Sequence, residues 1–170
     1  MLDNELIIRQ AIKEDCPKLS ILKKQIWETT YRGIYPDEKI DNYDYSENQK
    51  KFKNFIDNAS QQLYVVEDKN ELIGYIEFGE PHRPFQDYSQ EIGLFYIRED
   101  YQRQGLGRKL FNMAYDYIKN TGVDKFFISC HKYNTNAQKF YEKMGGKVVQ
   151  LDEDSVSDGI PQIKYEYIVK

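Results

Sequence analysis

The chain has 170 residues, with 24 basic against 28 acidic, a net charge of −4, and 15% aromatics that are mostly tyrosine. That length suits one domain, 1–170, built on one sheet, and the acid excess argues against a nucleic-acid partner, whose binders carry a basic face. No window approaches the roughly 18 apolar residues of a membrane span, MLDNELIIRQ has no secretory pattern, and Cys16 and Cys130 have neither zinc nor disulfide spacing, so a soluble cytoplasmic protein with no metal, membrane or nucleic acid is expected.

In chain order, Glu5 to Gln10 alternates as a first strand. Lys13-Glu14-Asp15 opens a helix in which Leu19, Leu22, Ile26 and Trp27 recur at helical spacing, fading near Gly33. Tyr31 to Tyr45, rich in tyrosine and acids, reads as a loop with a short turn of helix, too polar for core. Gln49 to Ala59 resumes helical periodicity through Phe52, Phe55 and Ile56. Leu63 to Glu67 and Leu72 to Phe78 form an antiparallel hairpin about Asp68-Lys69-Asn70, closed by Pro81 and Pro84. Glu91 to Ile97 is apolar on both faces except for Glu91, as expected of a central strand.

After the run Gln102 to Gly107, Leu106, Leu110, Met113, Ala114 and Tyr117 mark one face of a helix that Thr121-Gly122 ends. Lys125 to Cys130 is a strand, so strand, helix and strand form a right-handed parallel crossover. Asn134 caps a helix whose Ala137, Phe140, Tyr141 and Met144 share a face, and Gly145-Gly146 stops it. Lys147 to Leu151 and Gln162 to Val169 are the last strands, joined by an acidic loop containing Gly159.

Gln102-Arg103-Gln104-Gly105-Leu106-Gly107, followed by Arg108 and Lys109, lies between a strand and a helix. Its glycines let backbone approach a ligand, and N–H groups at a helix start hold anions, so a phosphate-bearing ligand is expected. The Gly-Lys-Ser/Thr end of a nucleotide P-loop is absent, and the dinucleotide fingerprint fails at Leu110, where it needs a third glycine. A third pattern, Gln/Arg-x-x-Gly-x-Gly/Ala, is matched in full by Gln102, Gly105 and Gly107. Downstream, NTNAQKFYEKMGG matches Asn-x-x-Ala-x-x-Phe-Tyr-Glu-Lys-x-Gly-Phe at Asn134, Ala137, Phe140, Tyr141, Glu142, Lys143 and Gly145, departing only at Gly146, where Phe is usual.

In these two signatures and in the order of its elements, the chain resembles the GCN5-related N-acetyltransferase (GNAT) family. The resemblance implies an α/β fold with a mixed, mostly antiparallel twisted sheet, a central parallel strand pair that splays apart, and flanking helices. It also implies acetyl-CoA as cosubstrate. The backbone of Phe95, Tyr96 and Ile97 would pair with its pantetheine arm, and Asn134 would hydrogen-bond that arm. Gln102 and the N–H groups of Arg103, Gln104, Gly105, Leu106, Gly107 and Arg108 would hold the pyrophosphate. Gly146 would remove an apolar anchor at the start of the next strand.

Acetyl transfer to nitrogen sets two requirements. An alkyl ammonium with a pKa of about 10.4 must lose a proton before it can attack. The leaving thiolate benefits from an acid at its sulfur, a role the resemblance implies for Tyr141. Glu91 is the only carboxylate on the central strand, and alternation puts it on the face of Phe95 and Ile97, as candidate base. The resemblance makes Tyr31 to Tyr45 one wall of the acceptor cleft, where Trp27, Tyr31 and Tyr35 would hold a cation by their ring faces and Glu28, Asp37, Glu38 and Asp41 would supply charge. His82 and His131, with no metal-ligand spacing, read as surface histidines, and Cys130 as a packing residue.

The expected function is direct acetyl transfer from acetyl-CoA to a primary amine, whether a small amine, a polyamine or a peptide amino group, by a monomer or homodimer. An antibiotic amine as acceptor, and a non-catalytic coenzyme A binding or sensing module, are the alternatives.

Overall fold

The structure, a computed structural model, describes residues 6–152 and 161–170; Glu5 of the expected first strand and Gly159 of the acidic loop lie outside them. Among the described residues seven strands make one sheet in the order β1-β2-β3-β4-β5-β7-β6. They are β1 (Ile7–Gln10), β2 (Gln61–Asp68), β3 (Glu71–Gly79), β4 (Glu91–Ile97), β5 (Lys125–His131), β6 (Lys147–Asp152) and β7 (Gln162–Ile168). Every neighbouring pair is antiparallel except β4 and β5, which are parallel as expected. Lys69 and Asn70, both at positive φ, make the two-residue turn between β2 and β3, a conformation whose twist matches that of the strands.

Helices cover both faces. On one, α1 (Cys16–Ile26) and α3 (Tyr45–Asp57) pack Leu19, Leu22, Ile26 and Phe52 against Leu63, Val65 and Tyr75. Asp15 sets the start of α1: its carboxylate accepts the Ile12 N–H at 2.8 Å and N–H groups of both terminal Arg9 guanidinium nitrogens at 2.8 Å. On the other face lies α4 (Leu106–Asn120), with α5 (Thr135–Lys143) beside it. The buried stripe of α4 is Leu106, Leu110, Phe111, Ala114 and Ile118; Tyr117, expected in that stripe, lies at its edge, exposed and edge-on to Phe78. A fully buried leucine such as Leu110 contributes about 2 kcal/mol, and its truncation to alanine would cost about 2–5 kcal/mol once the cavity is counted.

The segment after α1 departs from expectation. Instead of fading, the helix widens into a π turn over Trp27–Tyr31, closed by the Arg32 N–H on the Trp27 carbonyl at 3.0 Å. The short helix α2 (Asp37–Asp41) follows. Tyr31, Ile40 and Tyr43 are buried, so this stretch is core on one side despite its polar composition. The Tyr43 hydroxyl donates to the Ser20 carbonyl at 2.8 Å, which is how a tyrosine-rich segment enters the interior without an unpaired polar group.

Two irregularities create the site. The parallel ladder between β4 and β5 contains only Glu91–Phe127 and Ile92–Ile128, after which the strands part. In the β3–β4 ladder Phe78 pairs with Ile92 and Glu77 with Leu94, so Gly93 is an extra residue, a β-bulge. Cross-strand partners share a face, so the bulge resets the alternation. Ile92, Phe95 and Ile97 face α4, whereas Glu91, Leu94 and Tyr96 face α1 and α3. The expectation that Glu91 shares a face with Phe95 and Ile97 is therefore wrong, because unbroken alternation does not survive Gly93.

Candidate active site

The parted strands open a cleft of about 1260 Å³ whose lining comes from both faces of the sheet. On the α4 side the loop before the helix is shaped by Arg103 at φ +60° and Gly105 at φ +88°. Gly105 is the N-cap of α4 and has no side chain to bond the helix start. The first helical hydrogen bond runs from Lys109 N–H to the Gly105 carbonyl at 3.2 Å, which leaves the N–H groups of Leu106, Gly107 and Arg108 outside the helical ladder, at the positive end of a 15-residue helix. Arg103 and Arg108 line the cleft and form no ion pair among the described residues.

Several loop residues have structural duties. The Gln102 amide donates to the Ile97 carbonyl at 2.8 Å, tying the loop to β4, and that of Gln104 donates to the Asp100 carbonyl at 3.2 Å. Gln104 is not among the cleft-lining residues, and the Leu106 side chain is turned into the core. A Cβ on Gly107 would stand 3.3 Å from the Phe140 ring and 3.6 Å from Ile97, so this glycine seats α4 against α5 and β4. Asn134 caps α5, its Oδ1 accepting the Ala137 N–H at 3.2 Å, and its amide nitrogen has no such duty among the described residues.

Tyr141 reaches the cleft from α5 and is 7% exposed. Burial, with Cys130 and Tyr96 nearby, holds its phenol well above the usual tyrosine range, so it carries its proton at neutral pH. Its carbonyl accepts from the Tyr167 hydroxyl at 2.7 Å and from the Gly146 N–H at 3.0 Å. A Cβ at position 146 would meet the Tyr167 Oη at 2.7 Å, so Tyr167 takes the space above Gly146, where the signature has phenylalanine, and anchors the backbone of Tyr141. Cys130 also lines the cleft; burial pushes its thiol up to about 12, so it is protonated and a weak nucleophile.

On the α1 side Glu91 is 8% exposed and lines the cleft. Burial raises its pKa above the usual glutamate value; the charge and backbone N–H of His82 oppose that rise, Glu77 adds to it, and Lys164 opposes it. The Tyr96 side chain, on this same face, receives the Tyr31 hydroxyl at 3.3 Å, so β4 divides the cleft: Phe95 and Ile97 on one side, Glu91 and Tyr96 on the other.

The aromatic wall is organised differently from expectation. Tyr31 and Tyr35 line the cleft but stack on each other, with ring centroids 4.5 Å apart, and Trp27 is not among the lining residues. Lys39 Nζ sits 4.1 Å from the Tyr35 centroid and 5.5 Å from that of Trp27, with Lys23 5.3 Å from Trp27. The chain's own lysines thus occupy these ring faces. Arg32 gathers Glu28, Asp37 and Asp41 at 2.7, 3.2 and 2.9 Å, offsetting part of the acidic charge expected to attract an amine.

Neither histidine is a bare surface residue. His131 is 6% exposed, and its Nε2 shares a 2.8 Å hydrogen bond with the Tyr35 hydroxyl. The His82 side chain keeps 31% of its surface, yet its Nε2 lies 2.5 Å from Oε2 of the buried Glu77. Sequence spacing offered no sign of either pairing, since each partner comes from a different element. Among the described residues no helix is long and apolar enough to cross a membrane.

With this geometry in view, residues 24–146 match the model of the acetyltransferase (GNAT) family. The chain belongs to that family and is an N-acetyltransferase by class. Among curated relatives, a spermidine N(1)-acetyltransferase from Thermoplasma acidophilum is 28% identical over 164 residues, covering 94% of this chain and 97% of that protein. Among solved structures, the PaiA N-acetyltransferase of Thermoplasma acidophilum in complex with coenzyme A superposes with a TM-score of 0.75 at 24% identity, covering 95% of this chain and 99% of that one. YncA from Salmonella typhimurium, solved with acetyl-CoA, gives a TM-score of 0.72 at 20% identity, covering 98% and 95%.

Proposed function

We propose that the protein transfers the acetyl group of acetyl-CoA to a primary amine by direct attack within the β4–β5 gap. The observation that carries this reading is the meeting, in one cleft, of an uncapped helix start flanked by Arg103 and Arg108, a buried protonated Tyr141, and a buried carboxylate, Glu91. The N–H groups of residues 106–108 and the two arginines fit a pyrophosphate, and the β4 edge from Gly93 to Ile97, without a β5 ladder partner, fits an amide-bearing arm. Asn134 Nδ2 is a further donor to that arm.

The acceptor enters from the Tyr31 and Tyr35 side. Glu91 takes a proton from the ammonium, directly or through water, and the freed amine attacks the thioester carbon. As the C–N bond forms and the C–S bond breaks, Tyr141 gives its proton to the departing thiolate. The nitrogen's second proton restores the phenol, and the proton on Glu91 returns to solvent. Acid and base roles of this kind contribute roughly 10²- to 10⁴-fold each. Similarity to a spermidine N(1)-acetyltransferase over nearly the whole chain supports a small amine or polyamine as acceptor. Tyr141 within the gap supports an enzyme over a coenzyme A sensing module.

The test is thermal stabilisation of the protein by acetyl-CoA together with thiol release over a panel of amines that includes spermidine and lysine peptides. Stabilisation with turnover of one amine class is expected. Stabilisation without any turnover would favour the sensing module, and no stabilisation would refute both.

A further inference from the structure

We propose that Glu77 and His82 are positioning residues for Glu91, clamped over Gly93 so that the base keeps one orientation and stays ionised. The inference rests on the reading of Glu91 as base. Three hydrogen-bonded groups form a chain on the α1 face of the sheet: Glu77 Oε2 is 2.5 Å from His82 Nε2, and the His82 backbone N–H donates to Glu91 Oε2 at 3.0 Å. One oxygen of Glu91 is thereby held, and the other is left for the acceptor.

The sheet has been modified to admit this chain. A Cβ on Gly93 would stand 2.5 Å from His82 Nε2 and 2.6 Å from Cε1, so the ring occupies the space that every other residue type would fill. Glu77 is 1% exposed, between Ile76 and Phe78, and its Oε1 is buried with no hydrogen-bond partner among the described residues. A carboxylate so placed is costly to the fold unless a cation faces it, and His82 is the group that does. The far end of the same loop is fixed independently, by Tyr88 stacked on Phe85 and bonded to Glu166, and by Lys125 on Asp87 at 2.8 Å. The Glu77–His82 contact is therefore not needed to hold the loop there.

The electrostatics follow from the neighbours. Glu91 faces His82, Glu77 and Lys164; His82 faces Glu77, Glu91 and Arg83. Burial favours the neutral imidazole, but the bond to Glu77 and the two carboxylate charges outweigh it and raise the pKa of His82. Burial likewise raises the pKa of Glu77, and the bond and charge of His82 oppose that rise, so a protonated His82 between the two carboxyl groups favours their ionised forms and offsets their repulsion. Without it, Glu91 would hold its proton to higher pH and take fewer protons from an ammonium.

The test is a side-chain NMR titration of the intact protein and of His82→Gln, read beside turnover of the amine panel by Glu91→Gln. In the wild type, ¹⁵N shifts should show both ring nitrogens of His82, Nδ1 and Nε2, protonated throughout the neutral range. In His82→Gln the Glu91 carboxyl should titrate about one pH unit higher, a tenfold change in its ionisation constant. A His82 ring that titrates in the wild type like a free histidine near pH 6.5, or a Glu91 titration that does not move in the variant, overturns the inference. The wild-type ¹⁵N arm decides the matter even where the variant fails to fold. Unchanged turnover by Glu91→Gln would overturn the base reading itself, separately from the titrations.

Discussion

Alanine at Gly105 separates the donor loop's backbone demand from every other property of the helix it starts. At φ +88° an L-residue pays about 1–2 kcal/mol relative to glycine, and a Cβ there meets nothing within 4 Å, so conformational strain is the whole perturbation. For a chain of this size that corresponds to a fall of roughly 2–8 °C in Tm. The cheapest relief is to unwind the first turn of α4, which moves the N–H groups of residues 106–108 away from a bound phosphate. Loss of one hydrogen bond to a charged group is about 1.5 kcal/mol, so coenzyme A should bind roughly tenfold more weakly. Gly122, past the other end of α4, supplies a matched control: φ +87° and open space at its Cβ. Gly122→Ala should lose the same stability without changing the affinity. Differential scanning calorimetry and isothermal titration with coenzyme A measure both quantities. Equal affinity loss in the two variants, or none in Gly105→Ala despite the expected fall in Tm, would refute the assignment of the helix start as the phosphate site.

Other expectations are simpler. Gly146→Phe restores the residue usual in the signature but collides with Tyr167, and should destabilise by about 1–3 kcal/mol in urea melts and lower kcat through Tyr141; a stability gain would contradict the packing described. Cys130→Ala should keep kcat within about threefold, because the proposed transfer is direct and the thiol stays protonated; trapping of an acetyl-cysteine by mass spectrometry would contradict this. Burial works against ionised Asp15, but the hydrogen bonds from Arg9 and the Ile12 N–H prevail and hold its pKa below 3.8. Its stabilisation is therefore present above pH 3.8 and lost as pH falls through the lower folded value, and Asp15→Asn should flatten that part of the stability curve.

What the sequence made legible was local. Gly105 and the Asn134 signature each sit within one strand-to-helix or loop-to-helix junction, where cap geometry acts over a few residues, and the order of strands and helices followed from periodicity. What escaped it was set by contacts across the sheet. A single inserted residue at Gly93 moved Glu91 to the other face, and alternation contains no sign of an insertion. His82 looked isolated because its partner Glu77 is a buried strand residue that a bulge and a missing Cβ bring to it. Gly146 looked like a lost anchor until Tyr167, on the last strand, was found in its place. The tyrosines of residues 31–45 read as polar by composition, yet Tyr31 and Tyr43 are buried with their hydroxyls bonded.

The proposed acetyl transfer in the β4–β5 gap, with Tyr141 as the acid, stands or falls with Tyr141→Phe. The variant removes one oxygen and no packing surface, so coenzyme A affinity and Tm should stay at wild-type values. Thiol release with an amine turned over by the wild type should fall by about 10²- to 10⁴-fold in kcat. Wild-type kcat in Tyr141→Phe would contradict the claim.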